Sequence, residues 1–161
     1  MTYIQEISSS WVPVHPFNGN CSKSEAGFLI LRFNNLSRKF TSDEEMPILV
    51  ELCNFLTKGV LQAQSVGRES ICIDVDCSNL KVKRLTLSLV QKAGSLLSQL
   101  FENRLGLLRL WNTPKSIRIL MDMINPFIDN VTRRKLYFTE EPMPETLEAR
   151  NNQHSFTEWY N

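Results

Sequence analysis

Strand-like and helix-like patterns of hydrophobic residues alternate along this chain. Short runs rich in apolar and β-branched residues predict four strands, at about residues 27–33, 70–75, 105–110 and 135–138. Between these runs, apolar residues recur at helical spacing over about 42–64, 81–100 and 114–125. The order β-α-β-α-β-α-β therefore predicts a parallel sheet with right-handed crossovers.

The strand runs are apolar on both faces, which is typical of a parallel sheet covered by helices. We therefore expect an α/β fold, a single domain with a small, mostly parallel sheet of about four or five strands flanked by helices. Residues 1–26 are interrupted by serine, proline and glycine and predict an irregular segment. The domain is expected to span 27–150, with a short helix near 145–150, and to be followed by a flexible tail at 151–161.

Two local signals predict where helices begin and end. Ser42 followed by Glu45 is the spacing of a capping box, which predicts that the first helix begins at Ser42. Asn125-Pro126 is expected to end or kink the third helix, because proline lacks the N–H that a helix interior needs.

The charge balance and the length of the apolar stretches exclude two classes of protein, nucleic-acid binders and membrane-spanning proteins. With Lys+Arg 18 and Asp+Glu 17 in 161 residues, the net charge is +1, which does not suit a nucleic-acid binder. The longest apolar stretch, at 105–111, is short and is interrupted by Arg109, so no membrane-spanning helix is expected. The first residues do not resemble a secretory signal, and we therefore expect a cytoplasmic location, possible peripheral contact with membranes, and reduced thiols.

The chain has few residues suited to catalysis. His15 and His154 are expected to be solvated, and the four cysteines form no CxxC pair, so no metal site and no cofactor is expected. Cys72 and Cys77 are expected to be small core residues. The six glycines match neither phosphate-binding loop pattern, and no serine stands in a GxSxG turn.

Asp74-Val75-Asp76 closes the second predicted strand and leaves two interpretations open. A pair of carboxylates at this spacing can hold a hard cation against a diphosphate, which would indicate a metal-dependent transferase. Alternatively, an aspartate at the end of a strand caps the turn that follows.

Two segments in the second half carry a family resemblance. Residues 101–114 read FENRLGLLRLWNTP. This stretch resembles the CRAL-TRIO lipid-binding family, in which a YPERL/M-G segment leads into a strand that ends in N-x-P. Residues 124–136 read INPFIDNVTRRKL and resemble the family's PFLDPVTxxKI segment. Asp74 also fits the family's strand-Asp pattern, and the phosphatidylinositol/phosphatidylcholine transfer type is the nearest variety.

The resemblance implies a function without catalysis. Members bind one phospholipid or other hydrophobic ligand in an apolar pocket that a gate helix closes, and transfer it between membranes. The helix after Pro114 would be the gate, with Met121, Ile124 and Phe127 at its apolar positions. The other interpretation of these three residues is that they simply pack against the sheet.

For the lipid headgroup, the resemblance implies a phosphate contact by Thr132 and Lys135, which match the family's Thr and Lys. Both residues also have ordinary structural interpretations, as an N-capping threonine and a solvated lysine at the end of a strand. Asn103 stands where the family has a glutamate. This departure removes an acceptor for inositol hydroxyls, and Asn103 or Glu102 is expected to hydrogen-bond the headgroup instead.

A second function is compatible with the same fold. If bulky side chains fill the interior, the domain is expected to bind a protein partner and have a regulatory role. Two departures bear on this choice: residues 1–26 cannot form the helical domain that usually precedes the lipid domain, and the family's LPxxYGG ending is not found. The expected partners are thus a hydrophobic ligand, a transient membrane surface or a protein, and no nucleic acid.

Overall fold

A computed structural model describes residues 4–10, 26–33, 41–65, 67–78, 86–101, 103–152 and 156–158. One sheet contains six strands in chain order: β1 (Ile4–Ser10), β2 (Ala26–Phe33), β3 (Ser70–Asp76), β4 (Leu105–Trp111), β5 (Leu136–Phe138) and β6 (Thr157–Glu158). The helices are α1 (Ser42–Ser65), α2 (Leu87–Leu100), α3 (Ile117–Ile124), α4 (Asn130–Arg133) and α5 (Leu147–Asn151), and a 3-10 turn at Asn125–Phe127 follows α3.

The centre of the sheet confirms the predicted α/β fold. Strands β2, β3, β4 and β5 are parallel neighbours, and each is connected to the next through a helix. Because parallel connections are right-handed and the strand order is consecutive, α1, α2 and α3 lie on the same face of the sheet. The 3-10 turn also confirms that Asn125-Pro126 ends the third helix.

The two edges of the sheet differ from the prediction. β1 pairs antiparallel with β2, and β6 pairs antiparallel with β5. Residues 4–10 are thus not irregular, and residues 157–158 are not a flexible tail. Serines make up the end of β1, and β6 has only two residues, so neither has a strand pattern of its own. Hydrogen bonds from the neighbouring strand make both segments extended.

The main core lies between the sheet and the three helices. Ile71, Ile73 and Val75 alternate along β3 and pack against α1 residues such as Phe55 and Leu56. The intervening residues of β3 therefore face the other side of the sheet. This alternation gives the sheet two buried faces of different chemistry, one apolar and one that carries buried charges.

Cys72 and Cys77 confirm their predicted place in the interior, since both are almost completely buried. Burial, followed by the nearby Asp76 carboxylate, raises the pKa of the Cys77 thiol to about 12. The thiolate is the reactive form of cysteine, so Cys77 is unsuited to redox or nucleophilic chemistry at neutral pH.

The cap of α1 and the start of α2 differ from the prediction. Thr41 precedes α1, and its backbone N–H and hydroxyl both donate to Glu44 Oε1, at 3.1 Å each, so the predicted Ser42–Glu45 capping box is wrong by one residue. α2 begins at Leu87, with Thr86 Oγ1 accepting from Leu89 N at 3.1 Å, and not near residue 81. Residues 79–85 lie outside the described part of the chain.

Glu45 instead connects the two helices. Its carboxylate is nearly buried and accepts hydrogen bonds from Thr86 Oγ1 (2.9 Å), Ser88 Oγ (3.1 Å) and Lys92 Nζ (3.0 Å). The bond from Lys92 and then that from Thr86 hold the pKa of Glu45 below its ordinary value, and burial opposes them. The N-terminal ends of α1 and α2 are therefore joined through one ionised carboxylate.

Candidate functional site

The residues predicted to contact a headgroup lie at one edge of the sheet. Asn103 precedes β4, and Thr132 and Lys135 precede β5. Because β4 and β5 are parallel neighbours, all three residues lie at the amino-terminal edge of the same strand pair. Asn103 is exposed in the turn before β4, whereas Lys135 is half-buried. Glu102 lies outside the described residues, as do His15 and His154.

Thr132 combines deep burial with an unused hydroxyl. It belongs to the one-turn helix α4, which is capped by Asp129, whose Oδ1 accepts from Thr132 N at 2.6 Å. The interpretation of Thr132 as an N-cap is therefore wrong. Its side chain is 1% exposed, and its Oγ1 has no hydrogen-bond partner among the described residues. Buried hydroxyls are usually hydrogen-bonded, so this oxygen is an exception that calls for an explanation.

Lys135 is fixed through its backbone at the entrance of β5. Its N–H donates to Thr132 O at 3.0 Å, and its carbonyl accepts from Leu108 N at 2.8 Å. These two bonds attach the α4 turn to the start of the β4–β5 pair. Thr132 and Lys135 are thus held three residues apart on a rigid turn, with a hydroxyl and an ammonium suited to a phosphate group.

The predicted gate helix, α3, lies closed on the sheet. Ile117, Leu120 and Met121 are 3%, 6% and 4% exposed and belong to the main core. Ile124 is half-buried against that core, whereas Phe127 is 37% exposed. Met121 and Ile124 therefore pack as the structural interpretation expected, and Phe127 is turned partly to solvent. Any ligand between α3 and the sheet requires this apolar contact to open.

The opposite face of the sheet holds a buried charge cluster that the sequence analysis missed. Arg109 Nε and Nη2 donate to the two oxygens of Asp74, and Trp111 Nε1 donates to Asp74 Oδ1 at 2.8 Å. Arg150 Nε lies 2.8 Å from Asp74 Oδ2, and Asn151 Oδ1 accepts from Arg109 Nη1 at 2.8 Å. The charge of Arg109 inside an apolar strand was the available signal, because such a residue needs a buried partner.

This charge cluster contradicts the metal-site interpretation of Asp74 and Asp76. Both oxygens of Asp74 are engaged by cationic or N–H donors, which leaves no lone pair directed to a metal ion. Asp76 Oδ1 accepts from Ser78 N at 3.0 Å, and Asp76 thereby caps the turn after β3. The turn-capping interpretation thus holds for Asp76, and Asp74 is a structural ion-pair residue.

The same cluster attaches the C-terminal segment to the sheet. Arg150 and Asn151 belong to α5, and Arg150 Nη1 also donates to the carbonyls of Pro144 and Glu145 at 3.1 and 3.0 Å. Phe156 contacts the Trp111 ring edge-on, with the ring centroids 4.7 Å apart. Residues 144–152 and Phe156 therefore cover part of the face opposite the helices.

Comparison with known proteins identifies the family. The CRAL/TRIO domain family matches residues 24–158. No curated protein matches the chain. Among solved structures, one described as "Crystal structure of Sfh5" is 14% identical, with a TM-score of 0.47, and the match covers 70% of this chain and 42% of that chain. The chain thus corresponds to less than half the length of that structure.

None of the helices in the described ranges is long and apolar enough to cross a membrane. The family match covers most of the chain, including every central strand and the α3–α4 region in which the candidate residues lie. The chain therefore belongs to the CRAL/TRIO domain family, which is generally associated with the binding of lipids or other hydrophobic ligands.

Proposed function

We propose that this domain binds a phospholipid, or another hydrophobic ligand, between α3 and the sheet and transfers it between membranes without catalysing a reaction. CRAL/TRIO domains are typically non-catalytic. The driving force is the burial of acyl chains, which stabilises a complex by about 0.8 kcal/mol per CH₂ group. The main core between the sheet and α1–α3 is apolar, which suits such a ligand.

The observation that carries the proposal is the unpartnered hydroxyl of Thr132. A buried polar group without a hydrogen bond costs about 1–3 kcal/mol, which a headgroup oxygen would recover. Lys135, half-buried three residues later, adds a positive charge for a phosphate. Asn103, at the same edge of the sheet, supplies a secondary polar contact.

The proposal requires α3 to act as a gate. In the described conformation, Leu120 and Met121 pack into the apolar core where an acyl chain would lie. Moving α3 off the sheet exposes this apolar surface and makes room for a ligand. A membrane surface is the expected place for this step, because its acyl chains replace the contacts that α3 loses. A cytoplasmic location and phosphatidylinositol as the ligand stay predictions.

The closed packing of α3 also favours a second candidate function. If Ile117, Leu120 and Met121 fill the interior permanently, the domain has no ligand and would bind a protein partner through its surface. The two functions differ in one measurable property, the presence of a stoichiometric lipid.

Native mass spectrometry of the protein purified from cells distinguishes lipid binding from a permanently filled interior. We expect a mass above that of the chain by one lipid, which is lost when the same sample is denatured. Extraction with organic solvent then identifies the headgroup and tests the effect of asparagine at position 103. A mass equal to the bare chain, unchanged after incubation with mixed phospholipid vesicles, contradicts lipid binding and supports the filled interior.

A further inference from the structure

The segment that follows the gate helix is held by α2 on one side. A Cβ on Gly94 would lie 3.4 Å from Ile124 Cγ2 and 3.5 Å from Ile128 Cγ1, so α2 packs closely against this segment at Gly94. Four residues later, Ser98 Oγ donates to Phe127 O at 3.4 Å and accepts from Asp129 N at 3.3 Å. Residues 124–129 are therefore attached to α2 by packing and by weak hydrogen bonds.

A single arginine holds the same segment from the other side. Arg133 Nη2 donates to Asn125 O at 2.7 Å and to Ile128 O at 2.9 Å. Asn125 is the residue directly after α3, and its carbonyl also accepts a long bond from Ile128 N at 3.4 Å. A cation at that position is also favoured by the helix dipole. The guanidinium thus holds the segment that follows α3 in its closed position.

The contact of Arg133 with the carbonyls of Asn125 and Ile128 has one feature that favours its release. Arg133 Nε is buried and has no hydrogen-bond partner among the described residues. In the closed state one charged donor is therefore unsatisfied, whereas in the open state water would reach it. The two bonds favour closure, and the unsatisfied Nε opposes it.

Arg133 also lies between the two proposed headgroup residues. Thr132, Arg133 and Lys135 belong to one short turn, α4 and the two residues after it, which is capped by Asp129. A phosphate that draws the Thr132 hydroxyl and the Lys135 ammonium toward itself displaces this turn as a unit. Arg133 belongs to that unit, so a displacement of the turn would also shift its guanidinium relative to the carbonyls of Asn125 and Ile128.

We propose that Arg133 is a positioning residue for ligand exchange, which locks the downstream end of the gate and releases it when a headgroup engages Thr132 and Lys135. The coupling to the headgroup rests on the function proposed above. The lock itself rests on the two hydrogen bonds alone. Arg134, the exposed neighbour, serves as a matched control for loss of positive charge.

Hydrogen exchange of the full chain tests the lock without any lipid. In Arg133→Gln, which removes the donor of both hydrogen bonds, we expect amide exchange over residues 117–128 to rise about tenfold or more, with β3 and β4 unchanged. Arg134→Gln is expected to leave all three regions unchanged. Unaltered exchange at 117–128, or an equal rise in β3 and β4, overturns the lock.

A second measurement tests the coupling. Vesicles of phosphatidylcholine containing a fluorescent phosphatidylcholine are mixed with each variant, and the rate of uptake is followed. We expect faster uptake by Arg133→Gln than by wild type or Arg134→Gln, and equal rates overturn the coupling. Wild-type protein that takes up no lipid overturns the proposed function and the coupling together, while the exchange result still decides whether Arg133 holds the segment.

Discussion

Arg109 and Asp74 occupy directly paired positions on β4 and β3, and their side chains form a two-bonded ion pair with no exposure to solvent. Nε lies 2.6 Å from one carboxylate oxygen and Nη2 lies 2.8 Å from the other. This bidentate geometry satisfies both groups in the interior, where an unpaired charge is very costly. The pair therefore makes the register between the two central strands unique.

Asp74→Asn is expected to destabilise the domain strongly. The change removes the negative charge that faces both Arg109 and Arg150, and breaking a buried ion pair from one side costs about 3–5 kcal/mol. The free energy of unfolding in urea measures the loss. Asp76→Asn is the control, since Asp76 caps one turn and its loss is expected to cost about 1 kcal/mol. Equal losses for the two variants would contradict the structural role of Asp74.

The lowered pKa of Glu45 predicts how the stability of the domain depends on pH. Its pKa is lowered in the folded protein, so its contribution is complete above the unfolded value of about 4.3 and is lost as the pH falls through the folded value. Wild type should therefore be more stable than Glu45→Gln at neutral pH, and the difference should shrink below about pH 4.5.

Urea denaturation of both proteins at several pH values between neutral and acid measures this difference. Met46→Gln, an exposed change without a titratable group near the start of the same helix, is the control and should show no comparable pH-dependent difference. A difference between Glu45→Gln and wild type that grows on acidification would show that Glu45 does not act through its ionised form.

Thr132→Val separates a ligand contact from a structural one. Valine has nearly the same shape and removes a buried hydroxyl without a partner, so stability should be unchanged or higher by about 1 kcal/mol. Phospholipid binding should weaken, because the headgroup loses its hydrogen bond. Thr132→Ser keeps the hydroxyl and should retain most of the binding, whereas a Thr132→Val protein that binds lipid like wild type removes Thr132 from the site.

Lys135→Ala supplies an independent check on the same site. The melting temperature should stay close to that of wild type, since a half-buried lysine contributes little to the core. Lipid binding should weaken through the loss of the positive charge. A parallel fall in melting temperature and lipid binding would instead indicate a structural role for Lys135.

The close packing around Gly94 predicts that stability depends steeply on the size of the side chain at this position. Gly94→Ala places a methyl group in tight but tolerable contact with Ile124 and Ile128, and it favours the helix by about 0.5–1 kcal/mol. Gly94→Leu overfills the contact and should cost about 1–3 kcal/mol, measured by thermal or urea denaturation. Gln99→Leu, on the exposed side of α2, should be nearly neutral. If leucine at position 94 is well tolerated, α2 does not pack closely against Ile124 and Ile128.

The helices and central strands could be predicted because their signal is local. The spacing of apolar residues gave a first helix over 42–64, and α1 spans Ser42–Ser65. The β3 and β4 runs were likewise apparent, because continuous apolar segments of this length suit a strand buried on both faces. The edge strands β1 and β6 carry no such signal, because their conformation depends on pairing with a neighbour.

The helix start at α1 shows how tertiary contacts alter a local choice. Thr41 with Glu44 and Ser42 with Glu45 offer two similar cap patterns one residue apart. Lys92, 47 residues later in the chain, binds Glu45 and so favours the first pattern. A contact of that range cannot be derived from the spacing of residues within one helix.

The sequence by itself determined the order of the central elements and the resemblance that indicates lipid binding. These depend on periodicity and motif, which are properties of neighbouring residues. Tertiary structure alone decided that Asp74 pairs with Arg109, that the Thr132 hydroxyl is buried with no partner in the described ranges, and that Arg133 bonds the carbonyls after α3. The physical reason is that strand register, burial and hydrogen-bond geometry arise when distant segments pack together.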